Sequence, residues 1–289
     1  SEFGEMARLS AIAKPTMAVM TNIGLSHIGQ LKTQENILKE KLHITDGFGP
    51  ENVLIFNGDD PLLASVQGTT DFPVISYGLG ADCEYRAEDI ENDETGTSFV
   101  LVHKGLHLPV FVPAFGIHMV YNALAAVAAA EAAGADPAAA AAALREYKPL
   151  AMRQQRYEAN GLTVIDDTYN ASPDSMMGNI DVLCSMKATG RRIAVLADML
   201  ELGDVSVEAH RSVGRRCAQK KVDILYVIGQ EAREIAVGAK ELAPEMDCRE
   251  FMDNASALAS LKETVRAGDI VLVKGSRGMH TDEIVHGLL

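Results

Sequence analysis

The residues best suited to chemistry fall in two groups. Toward the C-terminus, Asp166-Asp167-Thr168-Tyr169-Asn170 follows one apolar run, and Lys274-Gly275-Ser276-Arg277-Gly278 follows another just ahead of a helix. Lys, Arg, Ser and two glycines at a helix start suit an anion, because cations and free backbone N–H groups then face the same ligand. The segment reads equally as a glycine-rich turn with solvated charges, and Asp166 and Asp167 as strand-end and N-cap residues. Nearer the N-terminus, His27 lies in Asn22-Ile23-Gly24-Leu25-Ser26-His27 and Lys41 in Lys39-Glu40-Lys41-Leu42-His43. His118 and Asn122 lie in Gly116-Ile117-His118-Met119-Val120-Tyr121-Asn122. A lone histidine in a glycine-rich loop is more often structural than a ligand. Lys41 would ordinarily be a helix-surface lysine, and the run from Gly116 could be mere capping. Spacing alone describes an α/β protein that binds an anion.

The elements that must position these residues read clearly. Thr16 to Asn22 is a short apolar strand broken by Gly24 and Gly29, and Thr33-Gln34-Glu35 opens a helix to about Thr45. Val53 to Asn57 is a buried strand closed by Gly58-Asp59-Asp60-Pro61. Phe72 to Pro113 is β-rich, with a hairpin about Lys104-Gly105. Tyr121 to Ala143 is mostly alanine, interrupted by Gly134-Ala135-Asp136-Pro137. Gly134 suits a helix C-terminus, Asp136 an N-cap and Pro137 the first helical position, so two packed helices are expected. After Pro149 strands at 162–166, 192–197, 224–229, 248–252 and 269–273 alternate with helices at about 173–186, 207–220, 231–242 and 254–265. A last helix follows Met279. Such alternation makes a mostly parallel, doubly wound sheet, whose ligands bind beyond the carboxyl ends of the strands. The chain thus divides near Pro149, into 1–149 and 150–289.

Composition narrows the function. Of 289 residues, 40 are acidic and 26 basic, a net charge of −14 that repels nucleic acid and anionic membranes. No apolar run reaches the ~20 residues that span a bilayer, and the N-terminus has no signal-peptide pattern. Cys83, Cys184, Cys217 and Cys248 stand far apart. That spacing argues against a zinc site or disulfide framework and fits unpaired buried thiols in a reducing cytoplasm.

Taken together and in order, these motifs resemble the Mur ligases over essentially the whole chain. Thr21-Asn22-Ile23-Gly24 to His27 is similar to the family's Asn-x-x-x-x-His segment, and Gln34-Glu35 to Lys41 to its helix bearing a carbamylated lysine. Gly116-Ile117-His118 to Asn122 is similar to Gly-x-His-Asn-x-x-Asn, and Met152 to Arg156 to the interdomain segment with its phosphate-binding arginine. Asp166 to Met176, Asp198-Met199-Leu200-Glu201-Leu202-Gly203 and Lys274-Gly275-Ser276-Arg277 resemble the branch that adds D-alanyl-D-alanine. The fold implied is α/β: the later part of a central ATPase domain, then a Rossmann-like C-terminal domain. The activity implied is a cytoplasmic, ATP-dependent amide ligase of bacterial peptidoglycan synthesis. It would join D-alanyl-D-alanine to UDP-N-acetylmuramoyl-tripeptide through an acyl phosphate, using Mg²⁺.

The resemblance also implies roles. His27, and Lys41 as a carbamate, would ligate Mg²⁺, and Arg156 would meet the phosphates. Asn122 and His118 would serve the adenine side. Asp167 would approach the ribose, with Tyr169 and Asn170 lining the cleft, while Lys274, Ser276 and Arg277 would serve the incoming dipeptide. Two departures stand out. Met119 replaces the family's usual Asn, and no Gly-x-x-x-x-Gly-Lys-Ser/Thr occurs, nor any Gly-Lys pair. A phosphate loop needs glycine amides and that lysine. The resemblance therefore places the loop and a UDP-binding domain upstream of Ser1, and the chain alone is expected to be inactive. Rival readings are a related acid–amino-acid ligase, against which Tyr169 to Ser175 argues, and a non-catalytic relative that binds nucleotide or precursor.

Overall fold

The computed structural model describes residues 2–93 and 95–289. The chain forms two compact units, Ser1–Lys148 and Pro149–Leu289. In chain order the first contains α1 (Glu5–Ala13), β1 (Met17–Met20), α2 (Ile28–Leu31), α3 (Gln34–Leu42), β2 (Val53–Asn57), α4 (Pro61–Ala64) and β3 (Val74–Gly78). It continues with β4 (Tyr85–Asn92), β5 (Thr97–His103), β6 (Leu106–Val112), α5 (Ile117–Ala132) and α6 (Pro137–Ala143). The second contains β7 (Gln155–Ala159), β8 (Leu162–Asp167), α7 (Pro173–Ser185), β9 (Arg192–Ala197), α8 (Ser206–Gln219) and β10 (Ile224–Ile228). It ends with α9 (Arg233–Leu242), β11 (Asp247–Phe251), α10 (Asn254–Thr264), β12 (Ile270–Lys274) and α11 (Asp282–Leu288).

In the first unit one sheet runs in sequence order from β1 to β6. Strands β1 to β4 pair in parallel, and β4, β5 and β6 form an antiparallel meander. Its core is Ile55, Tyr77, Phe99, Leu101 and Val110 against Val120, Leu124 and Val127 of α5. The alanines keep α5 thin enough to lie flat on the strands, and Tyr85 ties it down by donating to Glu131 at 2.5 Å. The expected break appears: Gly134 has φ +93°, the Asp136 carboxylate accepts from Ala139 N–H at 2.9 Å, and Pro137 opens α6. Helix α1 carries no capping side chain of its own at its N-terminus. The Glu40 carboxylate accepts from Gly4 and Met6 N–H, 2.9 Å each, and so supplies its N-terminal cap from α3.

In the second unit the strand order is β11-β10-β9-β12-β8-β7, parallel except for β7. Insertion of β12 between β9 and β8 sets the carboxyl ends of β8, β12 and β9 side by side. One face packs on α10 and α11 through Val164, Val195, Tyr226, Val271, Leu261 and Ile284. Strand β7 is an addition to the expected strands: part of the Met152–Arg156 segment, which resembles an interdomain segment, belongs to this antiparallel edge strand, with Arg156 opposite Ile165. The N-cap after β8 is Ser172, not Asp166 or Asp167, and it forms a capping box with Ser175. Among the four cysteines, all free, only Cys217 is fully buried. No helix among the described residues is long and apolar enough to cross a membrane.

Candidate functional site

The carboxyl ends of the parallel strands gather the candidates within each unit. In the first unit β1 runs into a loop that reaches His27, which has φ +65° at the start of α2. Lys41, on α3, folds its ammonium onto the Asn22 carbonyl at 3.2 Å. It is half-buried, and burial lowers its pKa from the usual lysine value, against an opposing pull from Asp60. A lysine driven toward its neutral amine can react as a nucleophile, which a surface lysine at pH 7 does poorly. No group of three or more His, Cys, Asp or Glu among the described residues is arranged to hold a metal. A hard cation here would need oxygens beyond these side chains.

Beside this loop, β2 ends in two carboxylates that point different ways. Asp60 accepts from Ile23 N–H at 2.7 Å and caps α4 at Leu62 and Leu63. Asp59 accepts from Leu79 and Gly80 N–H at 2.5 and 3.0 Å and from the Tyr121 hydroxyl at 2.8 Å. Burial alone would raise the Asp59 pKa, but these donors outweigh it and hold the group below its ordinary value. Tyr121 thereby ties the first turn of α5, with His118 and Asn122, to the sheet edge. Asn122 is exposed, and among the described residues its amide donates to the Met119 sulfur, at 3.7 Å. Met119 is thus a poor partner that leaves the amide available.

In the second unit Asp167 and Lys274 face each other across β8 and β12 and form a buried ion pair. Lys274 also donates to the Asn170 carbonyl at 2.8 Å. Burial lowers the Lys274 pKa, and Asp167 counters it. The remaining capacity of Asp167 goes to Gln154 N–H at 2.9 Å and the Asn179 amide at 3.0 Å. Lys274 therefore shapes the Asp167–Asn170 turn from below rather than standing in solvent. Ser276 is likewise buried; its hydroxyl accepts from Leu200 N–H at 2.9 Å and fixes the loop after Asp198. His210 holds the same loop, its Nε2 accepting from Met199 N–H at 3.0 Å. Arg277 and Tyr169 stay exposed.

The two arginines of the Met152–Arg156 segment part company. Arg156 lies on edge strand β7 with its guanidinium 2.6 Å from Glu158. Arg153 stacks over the Tyr169 ring at 4.0 Å, and its charge is felt by Lys274. Met152 and Gln154 on either side have φ +61° and +52°. Such backbone is costly for non-glycine residues and persists only where neighbours enforce it. Here Tyr169 N–H donates to the Met152 carbonyl at 3.2 Å, and the Gln154 amide reaches Asn179 at 3.1 Å. Sequence reasoning missed Arg153, Asp59, Asp60, Gln154 and Asn179. Two arginines three residues apart are equivalent until the register of β7 separates them.

Comparison with known proteins follows the same division. Residues 1–130 match the Mur ligase middle domain, and residues 152–277 match the glutamate ligase domain of Mur ligases. The UDP-N-acetylmuramoyl-tripeptide–D-alanyl-D-alanine ligase of Bacillus subtilis is 37% identical over 287 residues, covering 99% of this chain and 62% of its own length. The Synechocystis protein of the same name is 32% identical, covering 99% and 60%. In structure, MurF from Acinetobacter baumannii superposes with TM-score 0.90 at 29% identity, over 99% of this chain and 62% of that one. The chain thus spans about 60% of the length of the curated relatives it matches. With both of its units accounted for by domains of one kind, the chain belongs to the Mur ligase family.

Proposed function

We propose that this chain carries the later part of the ATP site and the acceptor domain of an ATP-dependent amide ligase. The ligase joins D-alanyl-D-alanine to UDP-N-acetylmuramoyl-tripeptide. The γ-phosphoryl group of ATP passes to the terminal carboxylate of the tripeptide. The dipeptide amine then attacks the acyl phosphate, an amide bond forms and phosphate leaves. Crowding several anions demands fixed positive charge where the negative charge develops. The observation that carries the reading is Arg153, held over Tyr169 at the carboxyl end of β8 by strained backbone on both sides. Arg153 takes the phosphate-facing role that the resemblance alone gave to Arg156. Tyr169 and Arg277 present the exposed groups for substrate, and Asp167, Asn170, Lys274 and Ser276 hold their loops in shape. The substrates are those for which the Bacillus subtilis and Synechocystis relatives are named.

Asn122 and His118 would line the adenine side, from the α5 turn held by Tyr121. Mg²⁺, when bound, would supply Lewis-acid stabilisation of phosphate charge. The half-buried Lys41, with its lowered pKa, suits addition of CO₂, which converts it to an oxygen ligand. Lys41 and His27 would then form a partial set, completed by waters and substrate oxygens as this ion prefers. A structure of the Thermotoga maritima MurF ligase in complex with ADP has the same fold, with TM-score 0.85.

The deciding experiment measures phosphate release from ATP and Mg²⁺ with UDP-N-acetylmuramoyl-tripeptide, with and without D-alanyl-D-alanine. It compares this chain with a version extended upstream to include a phosphate loop. Dipeptide-dependent release by the extended protein alone supports the ligase. Silence of both folded proteins transfers the reading to a non-catalytic binder of nucleotide or precursor.

A further inference from the structure

The segment from Thr21 to His27 lies in neither strand nor helix at its start, yet side chains hold its backbone closely. The Asn57 amide donates to the Thr21 carbonyl at 3.1 Å, and Lys41 to the Asn22 carbonyl at 3.2 Å. The next residue, Ile23, is held at both its N–H, in the same peptide as the Asn22 carbonyl, and its own C=O. Asp60 accepts from Ile23 N–H at 2.7 Å, and the Gln34 amide donates to the Ile23 carbonyl at 2.7 Å. These four holders come from the end of β2, the cap of α4 and both ends of α3. The Ile23 side chain is 3% exposed and anchors the loop in apolar packing. Backbone groups left without regular structure need partners somewhere, but water would serve most of an exposed loop. Recruiting four side chains fixes one geometry instead.

We propose that Asp60 and Gln34 are positioning residues that aim the Asn22 carbonyl at the Nζ atom of Lys41. This rests on the carbamate reading of Lys41 given above. The neutral amine attacks the carbon of CO₂, a nitrogen–carbon bond forms, and one proton leaves to solvent. The product keeps a single N–H on Nζ. The Asn22 carbonyl accepts that N–H, so the new carboxylate can point in only one direction, away from Asn22. A carbonyl free to swing would leave the carboxylate free to rotate. Holding a ligand by the atoms behind it characteristically governs metal affinity by roughly 10–100-fold.

The test uses Gln34→Leu and Asp60→Asn. Gln34 opens α3 and is partly exposed, so its replacement leaves the fold intact even if the Asp60 variant does not fold. Carbon-13 NMR of this chain in labelled bicarbonate shows a carbamate resonance that Lys41→Ala lacks. In Gln34→Leu, half-occupancy requires several-fold more bicarbonate, and amide exchange at Ile23 accelerates. In the upstream-extended protein the Mg²⁺ concentration for half-maximal phosphate release rises roughly tenfold, with the KM for D-alanyl-D-alanine unchanged. Wild-type bicarbonate and Mg²⁺ dependence in folded Gln34→Leu overturns the positioning role while leaving the ligase intact. No resonance in the unmodified chain overturns the carbamate and, with it, this proposal.

Discussion

At the scale of single residues, chemistry here depends on which side chains are spent and which are spare. Lys274 looks in the sequence like a free cation beside Ser276 and Arg277, but its charge is committed to Asp167 at 2% exposure. Arg156 is similarly engaged with Glu158 at the edge of the sheet, whereas Arg153 faces outward over an aromatic ring. The two arginines should therefore respond differently to replacement in the upstream-extended protein. Arg153→Ala is expected to lower kcat/KM roughly a hundredfold, the loss typical of a fixed charge aimed at a reacting anion. Arg156→Ala is expected to change it by less than about threefold, since exposed ion pairs contribute ~0–1 kcal/mol. Equal losses in steady-state assays would return the phosphate role to Arg156. None of this could be read from spacing, because both arginines lie in one short segment, and the alternation of Tyr157 and Ala159 with Arg156 and Glu158 is too brief to reveal β7.

At the scale of elements, two devices hold the units in shape. Helices α8 and α9 meet at reciprocal glycines: a Cβ built on Gly214 would lie 1.9 Å from the Ile235 carbonyl oxygen, and one on Gly238 2.1 Å from that of Arg211. The helix backbones touch where a side chain would normally intervene. Gly214→Ala must push them apart, and overpacking of this kind costs about 1–3 kcal/mol, readable as a lower urea midpoint. The second device is Glu40, whose buried carboxylate caps α1. Burial opposes its ionisation, but the Gly4 and Met6 N–H groups outweigh burial and keep its pKa below the ordinary 4.5. A folded-state pKa below the unfolded one means the stabilisation is present above about pH 4.5 and disappears as pH falls through the folded value. Urea midpoints followed downward from pH 7 should fall more steeply for the native chain than for Glu40→Gln. Parallel curves would show that Glu40 contributes no net stabilisation through its charge.

At the scale of the whole molecule, each unit has its own sheet and its own apolar core. Such a unit can in principle fold alone. Residues 149–289 expressed separately are expected to unfold in one cooperative urea transition with native circular dichroism. A broad, non-cooperative transition would mean that the second core depends on the first unit. The paired domains span about 60% of the length of the curated relatives they match.

The sequence by itself determined most element types, though not α1 or β7, and the parallel alternation after Pro149 and the family. These depend on local periodicity, on Gly, Asp and Pro at helix ends, and on motifs that survive as short strings. It determined Val53–Asn57 and Arg192–Ala197 to the residue, because both are bounded by turn chemistry. Helix α1 escaped notice because its cap comes from Glu40, 36 positions beyond Gly4. Only the tertiary structure decided that Lys274 is buried against Asp167, that Arg153 rather than Arg156 stands over Tyr169, and that Gln34 and Asp60 hold the two polar backbone groups of Ile23. Each of those outcomes depends on strand order and register, which bring together atoms that lie far apart along the chain or separate arginines that lie close.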